Sequence, residues 1–448
     1  MALILVITFC VYLSIILFTK HRIAITLIGS GLLLITGVIT GSYDVPEAFA
    51  GFPSEIIILI IVLTMFTSTF EQMHFIDYIG YQFLRLTKKK KVLIMVFIPV
   101  LVYAISLFMN NLTVVLLFST IALHMIIEFE LPVIPLLVSI IIGSNIGGAP
   151  LPWADTPAVV LTLYSDFTLI DFLNKLFIPC LVFALTLSVY TYIWYKRHCP
   201  ETRESPFTNK PKVDFKALQK VMLLFIIYII CISIGPFYKV SLAYISLFFG
   251  GILLCVRKKD EMLLLDELPI MDSIVFLISL FLIAGVLQAS GALSEAAEYI
   301  VGLTNNNMYL ITLSILLLAF VASTFLSAGP AAATLLPICS SLVPLVPFRL
   351  IYAALALGIL CGSSMLPWSA TGGPIMLSQT RNFLERHRIK GKHKKPLHHK
   401  GLEISLSTEK EIARIYNLRS YLAFSVPFAL LMLGMSAIYL MVYLKIMS

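Results

Sequence analysis

The stretch GSNIGGAPLPWADTPAVV, residues 143–160, decides how this chain is read. It lies inside a long apolar tract, yet Pro150 and Pro152 precede its only acid, Asp155, and Pro157 follows it. Proline lacks an amide hydrogen and clashes with the preceding turn, so no helix runs unbroken through three of them. The tract 133–165 would extend roughly 50 Å as one helix at about 1.5 Å per residue, against a hydrocarbon layer of roughly 30 Å. Two half-helices with an unwound link over 145–156 are therefore expected, with Gly147 and Gly148 allowing unusual dihedrals. Backbone freed at membrane depth persists only where protein or water surrounds it, and its carbonyls and half-helix ends are ready ion ligands. A carboxylate there costs roughly 3 kcal/mol or more and marks an ion or proton path.

Composition agrees with a membrane setting. The 448 residues are 59% hydrophobic and 12% charged, with a mean hydropathy of +0.96. Apolar runs of about 17–25 residues recur, each long enough to cross a bilayer as a helix. A β-barrel would show short alternating segments instead. The fold expected is an all-α polytopic membrane protein with about ten transmembrane helices. Lys20 and Arg22 follow the first apolar run, the reverse polarity of a cleavable leader, so a retained helix is expected. The seven cysteines form no CxxC pair and read as small core residues. A net charge of +8 gathered in short loops asks for a topological explanation before a nucleic-acid one. HExxH, GxSxG and clustered metal ligands are absent, so neither an intramembrane enzyme nor a bound cofactor is expected.

Helices are predicted over 2–19, 23–40, 55–72, 133–165 (interrupted), 174–195, 218–235, 239–256, 273–289, 350–379 (interrupted) and 419–443. Two further apolar stretches, 92–127 and 308–346, are kinked at FMNNLT (108–113) and FLSAGPAAAT (325–334). The halves repeat. LPWADT (151–156) returns as LPWSAT (366–371), an offset of 215, and Ser106-Leu-Phe108 returns as Ser323-Thr-Phe325, an offset of 217. Glu55 and Asp272 open corresponding helices 217 apart. Amphipathic stretches suited to the membrane interface follow in both halves: HFIDYIGYQFLRL with His74, Asp77 and Arg85, and ALSEAAEYIVGL with Glu295 and Glu298. The expected organisation is a first repeat, 1–195, a cytoplasmic linker, 196–217, and a second repeat, 218–448.

Charge orients the chain. With 92–127 and 308–346 as re-entrant hairpins, the basic segments Lys20/Arg22, Arg85 to Lys91, 196–217, Arg257 to Lys259 and 381–418 all fall inside. The acidic or neutral segments 41–54, 165–172 and 290–307 fall outside. Full crossings by the kinked stretches would scatter the basic loops over both sides. Each half then crosses five times, an odd number, so the halves are expected to be inverted. Both termini are expected on the non-cytoplasmic side.

Candidate site residues gather at the breaks and kinks. Asn145 and Thr156 flank Asp155, the first hairpin offers Asn110, Asn111 and Thr113, and the second offers Ser327. The second break, GSSMLPWSATGGP (362–374), adds Ser363, Ser364 and Thr371, with Ala370 in the place of Asp155. The nearest cations, Lys175, Lys239 and Arg349, fall at predicted helix ends. Each hairpin's return arm starts just after its tip, so a positive dipole end faces the site and suits an anion. Asp155 argues for a cation, and a proton and a metal cation cannot share it at once.

These residues carry a family resemblance. The order hairpin, broken helix, hairpin, broken helix resembles the ion transporter superfamily, which includes ArsB arsenite pumps, NhaD sodium/proton antiporters, the melanosomal P protein, the magnetosome protein MamN and, more distantly, dicarboxylate/sodium symporters. SNIGGAPLPWADTP resembles its SNxGG…GDxxN-type stretch, FMNNLT its first-hairpin Asn motif, and GSSMLPWSATGG the second-half counterpart. Ala154 replaces the common Gly before the acid, and NNLT (110–113) and SAGP (327–330) lack the Ser-Asn-Thr signature of dicarboxylate carriers. The nearest likeness is thus to the ArsB/NhaD-like branch. It implies alternating access, an ion or proton site at Asp155, Asn110, Asn111 and Asn145, and a homodimer. The expected function is Na+/proton antiport, with protons, the cation and the lipid bilayer as partners and no nucleic acid. An arsenite, other oxyanion or organic-anion transporter is the alternative, and a non-transporting scaffold docked through 381–418 is a third reading. The cell inner membrane or an internal membrane such as the magnetosome would house it.

Plainer readings stand beside these. Asp155 is also placed to cap the second half-helix, Asn110 and Asn111 to satisfy a turn, Glu55 and Asp272 to meet helix dipoles, and Trp153 and Trp368 to pack. The run 381–401 reads as a solvated positive-inside loop, with anionic-lipid binding or metal binding through His393, His398 and His399 as sharper alternatives.

Overall fold

The computed structural model describes residues 2–17, 22–41, 54–73, 75–87, 90–109, 111–129, 131–198, 215–235, 240–256, 275, 278–279, 282–283, 285–287, 289–326, 328–370, 372–373, 376, 380 and 418–447. Every regular element among them is helical. In chain order these are α1 (Ala2–Leu17), α2 (Arg22–Thr40), α3 (Ser54–Gln72), α4 (Phe75–Leu86), α5 (Lys91–Ser106), α6 (Asn111–Phe129), α7 (Val133–Gly148) and α8 (Thr156–Tyr164). A short turn, Leu169–Phe172, and a π-helical turn, Leu173–Phe177, lead into α9 (Ile178–His198). Then come α10 (Phe215–Ile234), α11 (Leu242–Val256), α12 (Ala292–Thr304), α13 (Met308–Leu326), α14 (Ala328–Leu342), α15 (Leu350–Ser363) and α16 (Leu418–Met447). Most of the expected helix 273–289 and the loop 381–417 lie outside the described residues.

Among the described residues, five helical stretches are long and apolar enough to cross a bilayer: 23–40, 169–197, 215–232, 308–326 and 418–446. Their outer faces expose Ile28, Val189, Leu223, Val321 and Ile438. Such side chains need no protein partner where lipid is the solvent. At the centre lie α7 and α15, buried at every position. A helix apolar all round belongs in such a core. The chain is an all-α integral membrane protein.

Glycine sets how the core packs. Helices in lipid associate through close backbone approach, which small residues permit. A Cβ on Gly143 would lie 3.1 Å from Pro99 O, and one on Gly147 2.5 Å from Tyr103 O, both in α5. A Cβ on Gly358 would lie 2.5 Å from Leu316 O, and one on Gly362 would press still closer on Phe320 O, both in α13. Each broken helix therefore lies glycine-side down on the ingoing arm of the hairpin that precedes it. Gly147 and Gly148 are helical, and positive φ among the described glycines occurs at Gly41 and Gly291. The expected unwound link 145–156 thus shortens to 149–155, and Gly147 and Gly148 serve close contact instead of bending the chain.

The two halves use matching elements. The arms α13 and α14 and the helix α15 each begin 217 residues after α5, α6 and α7 (308 − 91, 328 − 111, 350 − 133). Their directions are opposed. Asn145 Nδ2 near the end of α7 donates to Ser363 O at the end of α15 over 3.4 Å. At the other end of α15, Arg349 Nη1 donates to Asp166 O, just beyond α8, over 2.5 Å. So α15 starts where the first broken helix finishes, and its tip meets the tip of α7. An inverted duplication would give this arrangement. The packing also crosses over: α8 lies against α14 of the later hairpin, and Gly372 lies against Val115 of α6.

Candidate functional site

Asp155 occupies the N-cap of α8, with extended backbone at φ −146° and ψ 163°. Pro157 in the first turn lacks the amide a preceding helix would need, so the chain must restart there. Asp155 Oδ1 accepts the amide of Thr156 over 2.8 Å. Its Oδ2 accepts Asn111 Nδ2 over 2.8 Å. Capping and a site role are therefore compatible: one oxygen serves the helix, and the other faces the hairpin tip. Gly148 makes room for this pair, since a Cβ there would lie 2.7 Å from both Asn111 amide heteroatoms and 2.8 Å from Asp155 Cβ.

Behind Asn111 stands Ser106, the last residue of α5. Its Oγ lies 2.6 Å from Asn111 Oδ1 and 2.8 Å from Ser144 O of α7. All four residues are buried. The sequence reading used Ser106 only as a marker of the repeat. Its recurrence as Ser323 was the available clue that it does something at the hairpin tip. Ser323 likewise donates to the broken helix of its own half, at Ile359 O over 3.0 Å.

Asp155, Asn145, Gly148, Ala328, Ala356 and Ser363 contribute to the walls of a small cavity between the halves. Its free volume is about 20 Å³. That is room for about one water or bare ion. No Lys, Arg or His is among its wall residues. Three helices begin at this point, α6 at Asn111, α8 at Thr156 and α14 at Ala328. Their amide ends all place partial positive charge around the single carboxylate.

The structure places Asp155, Asn111, Asn145 and Ser363 near one another, and the backbone amide of Thr156 bonds the carboxylate. Ser364 turns its hydroxyl back to Leu360 O over 2.8 Å, and Ser363 makes a 3.2 Å bond to the same carbonyl. Asn110, Ser327, Thr371, Lys239, His393, His398 and His399 lie outside the described residues, as does the side chain of Thr113. Lys175 and Arg349 stand apart from the cavity, both paired with Asp171, Arg349 at 3.3 Å. The indole Nε1 atoms of Trp153 and Trp368 are buried and find no hydrogen-bond partner among the described residues. Those residues contain no cluster of three His, Cys, Asp or Glu able to hold a metal ion.

The broken helix α7–α8, the starts of α6 and α14 and the end of α15 converge on one carboxylate. A family model described as citrate transporter matches residues 4–362. The chain belongs to the citrate transporter family. The magnetosome protein MamN of Magnetospirillum gryphiswaldense is 24% identical, over 81% of this chain and 84% of that protein. An uncharacterized transporter of Mycobacterium tuberculosis is 22% identical over 81% of this chain and 86% of its own. A 46 kDa membrane protein of Mycobacterium leprae is 21% identical over 73% and 78%. As a member of the citrate transporter family, this protein is a membrane transporter.

Proposed function

We propose that the protein is a secondary active transporter that exchanges a small cation, Na+ in the first instance, for protons at Asp155. The observation that carries this reading is the buried carboxylate beside a cavity with no basic side chain among its wall residues. Neutral donors hold both of its oxygens, so its charge is oriented without being cancelled. Such a group needs a positive partner, and one proton or one small cation supplies it. The cavity's size fits that cargo. The carboxylate lies between two halves that meet head to head, so rocking one against the other would open it to either side in turn. In this reading, the basic loops and both termini follow the positive-inside assignment, in the cell inner membrane or an internal membrane, with a homodimer as the assembled form.

The test is proton flux in proteoliposomes under an imposed pH gradient. Na+, Li+, K+, arsenite and citrate are added in turn, for wild type and Asp155→Asn. Dissipation by Na+ or Li+ that Asp155→Asn abolishes is the expected result. An oxyanion or organic-anion cargo is the second reading, favoured by the convergence of three helix N-termini and by the family's name. Uptake of arsenite or citrate that survives Asp155→Asn would establish that reading and reduce Asp155 to a cap.

A further inference from the structure

Ser106 carries one hydroxyl proton but lies within bonding distance of two acceptors, Asn111 Oδ1 at 2.6 Å and Ser144 O at 2.8 Å. It cannot donate fully to both. Asn111 fixes which one receives it. With Nδ2 turned to Asp155, as here, its Oδ1 faces Ser106 and claims the proton. That orientation suits a bare carboxylate. It is wrong for an occupied site, because a cation takes oxygen ligands and repels an N–H. Turning the amide over presents Oδ1 to a proton or cation held at Asp155 Oδ2, and Nδ2 to Ser106 Oγ. The serine then accepts from Asn111, and its own proton is free for Ser144 O.

We propose that Asn111 and Ser106 form a two-position relay, in which a positive charge arriving at Asp155 turns the Asn111 amide over and Ser106 shifts its proton to the Ser144 carbonyl. This rests on the reading of Asp155 as the exchange carboxylate. Each position gives the Ser106 hydroxyl and one Asn111 N–H an acceptor, so the network has two defined arrangements. The shift tightens the tie between α5, a hairpin arm, and α7, the broken helix, when the site fills. Site occupancy thereby changes the contact between the two elements that frame the cavity. The second half serves as an internal comparison. Ala328 stands where the first half has Asn111, and Ala370 where it has Asp155, and there Ser323 holds its bond to Ile359 O with no amide competing. Ser106 is a positioning residue: it touches the carboxylate only through Asn111.

Ser106 makes one bond in the bare position and two in the occupied one, so its removal penalises occupancy by one hydrogen bond. In proteoliposomes, Ser106→Ala should raise the KM for Na+ by about 3- to 10-fold. Ser323→Ala, which removes the matching tie in the other half, should leave that KM within about twofold of wild type. Infrared difference spectra with and without Na+, on protein carrying 15N in its asparagine side chains, read the amide directly. An isotope-sensitive asparagine band should respond to Na+ in wild type and lose that response in Ser106→Ala. A wild-type protein without such a band overturns the relay, even if Ser106→Ala fails to fold. So does a Ser106→Ala protein whose KM and band match wild type while Asp155→Asn is inactive; the exchange reading then stands alone. Undiminished cation exchange by Asp155→Asn removes both.

Discussion

Asp155 illustrates how one side chain serves two masters. Asn is as good an N-cap as Asp, because either side-chain oxygen can accept from the first helical turn. With Asn111 turning its oxygen to the new amide, Asp155→Asn should therefore keep the fold, with an unfolding temperature in detergent close to wild type, while cation-dependent proton flux is lost. Asp155→Ala removes the cap, worth about 1 kcal/mol, and strands the buried Asn111 Nδ2 without an acceptor, at about 1–3 kcal/mol. A clear drop in unfolding temperature should accompany the loss of flux. Equal stability of the Asn and Ala variants would show that the cap matters little here. At this scale the sequence was readable as far as composition allows. A lone acid between prolines, and asparagines at a hairpin tip, were visible. That Asn111 Nδ2 and not some other donor reaches Asp155, with Ser106 behind it, depends on contacts between residues 44 and 5 positions apart.

At the scale of elements, the hairpin and broken helix of each half are joined by glycine contacts. Adding a methyl group where a backbone carbonyl already sits forces the helices apart, at about 1–3 kcal/mol or more. Gly147→Ala and Gly362→Ala should each lower the unfolding temperature markedly. Gly143→Ala, whose Cβ would still sit 3.1 Å from Pro99 O, should cost less. Gly434→Ala in α16, with nothing within 4 Å of the added carbon, should be neutral. Thermal unfolding of the four variants in one detergent checks the order. In sequence, Gly147 and Gly148 suggest unusual dihedrals, because a glycine beside prolines suggests a turn. Only the neighbouring helix reveals that the missing Cβ is occupied by another backbone.

For the whole molecule, the tie between halves at the far end of the broken helices deserves a test. Asp171 completes the capping box of the turn that Thr168 opens, and pairs with Lys175, whose side chain is 6% exposed, and with Arg349 at the head of α15. Phe348 and Arg349 both have φ near +60°, a conformation L side chains adopt only under constraint. Lys175 is buried and Asp171 half-buried, so removing the carboxylate leaves a buried ammonium without its partner, at about 1–3 kcal/mol. Asp171→Ala should therefore destabilise the protein by that amount, while Arg349→Ala, at a 41% exposed side chain, should cost about 1 kcal/mol or less. Unfolding temperatures of the two variants, compared at low and high salt, decide this. Similar small losses in both would show that Lys175 finds other partners.

The sequence by itself determined that this is a helical membrane protein, because hydropathy and helix length are set locally by the solvent each segment must meet. It also determined where helices break, since proline acts through its own missing amide and its own ring. The matching 217-residue spacing of elements was legible for the same reason: it is order along the chain. What only the tertiary structure decided is which breaks face each other, which glycines are contacts, and which amide reaches the carboxylate. Those depend on distances between segments far apart in the chain, and no local preference encodes them. Asn145 meeting Ser363 and Arg349 reaching Asp166 are contacts across 218 and 183 residues. They arise because the two broken helices, apolar on every side, had nowhere to go but against the rest of the protein at its centre.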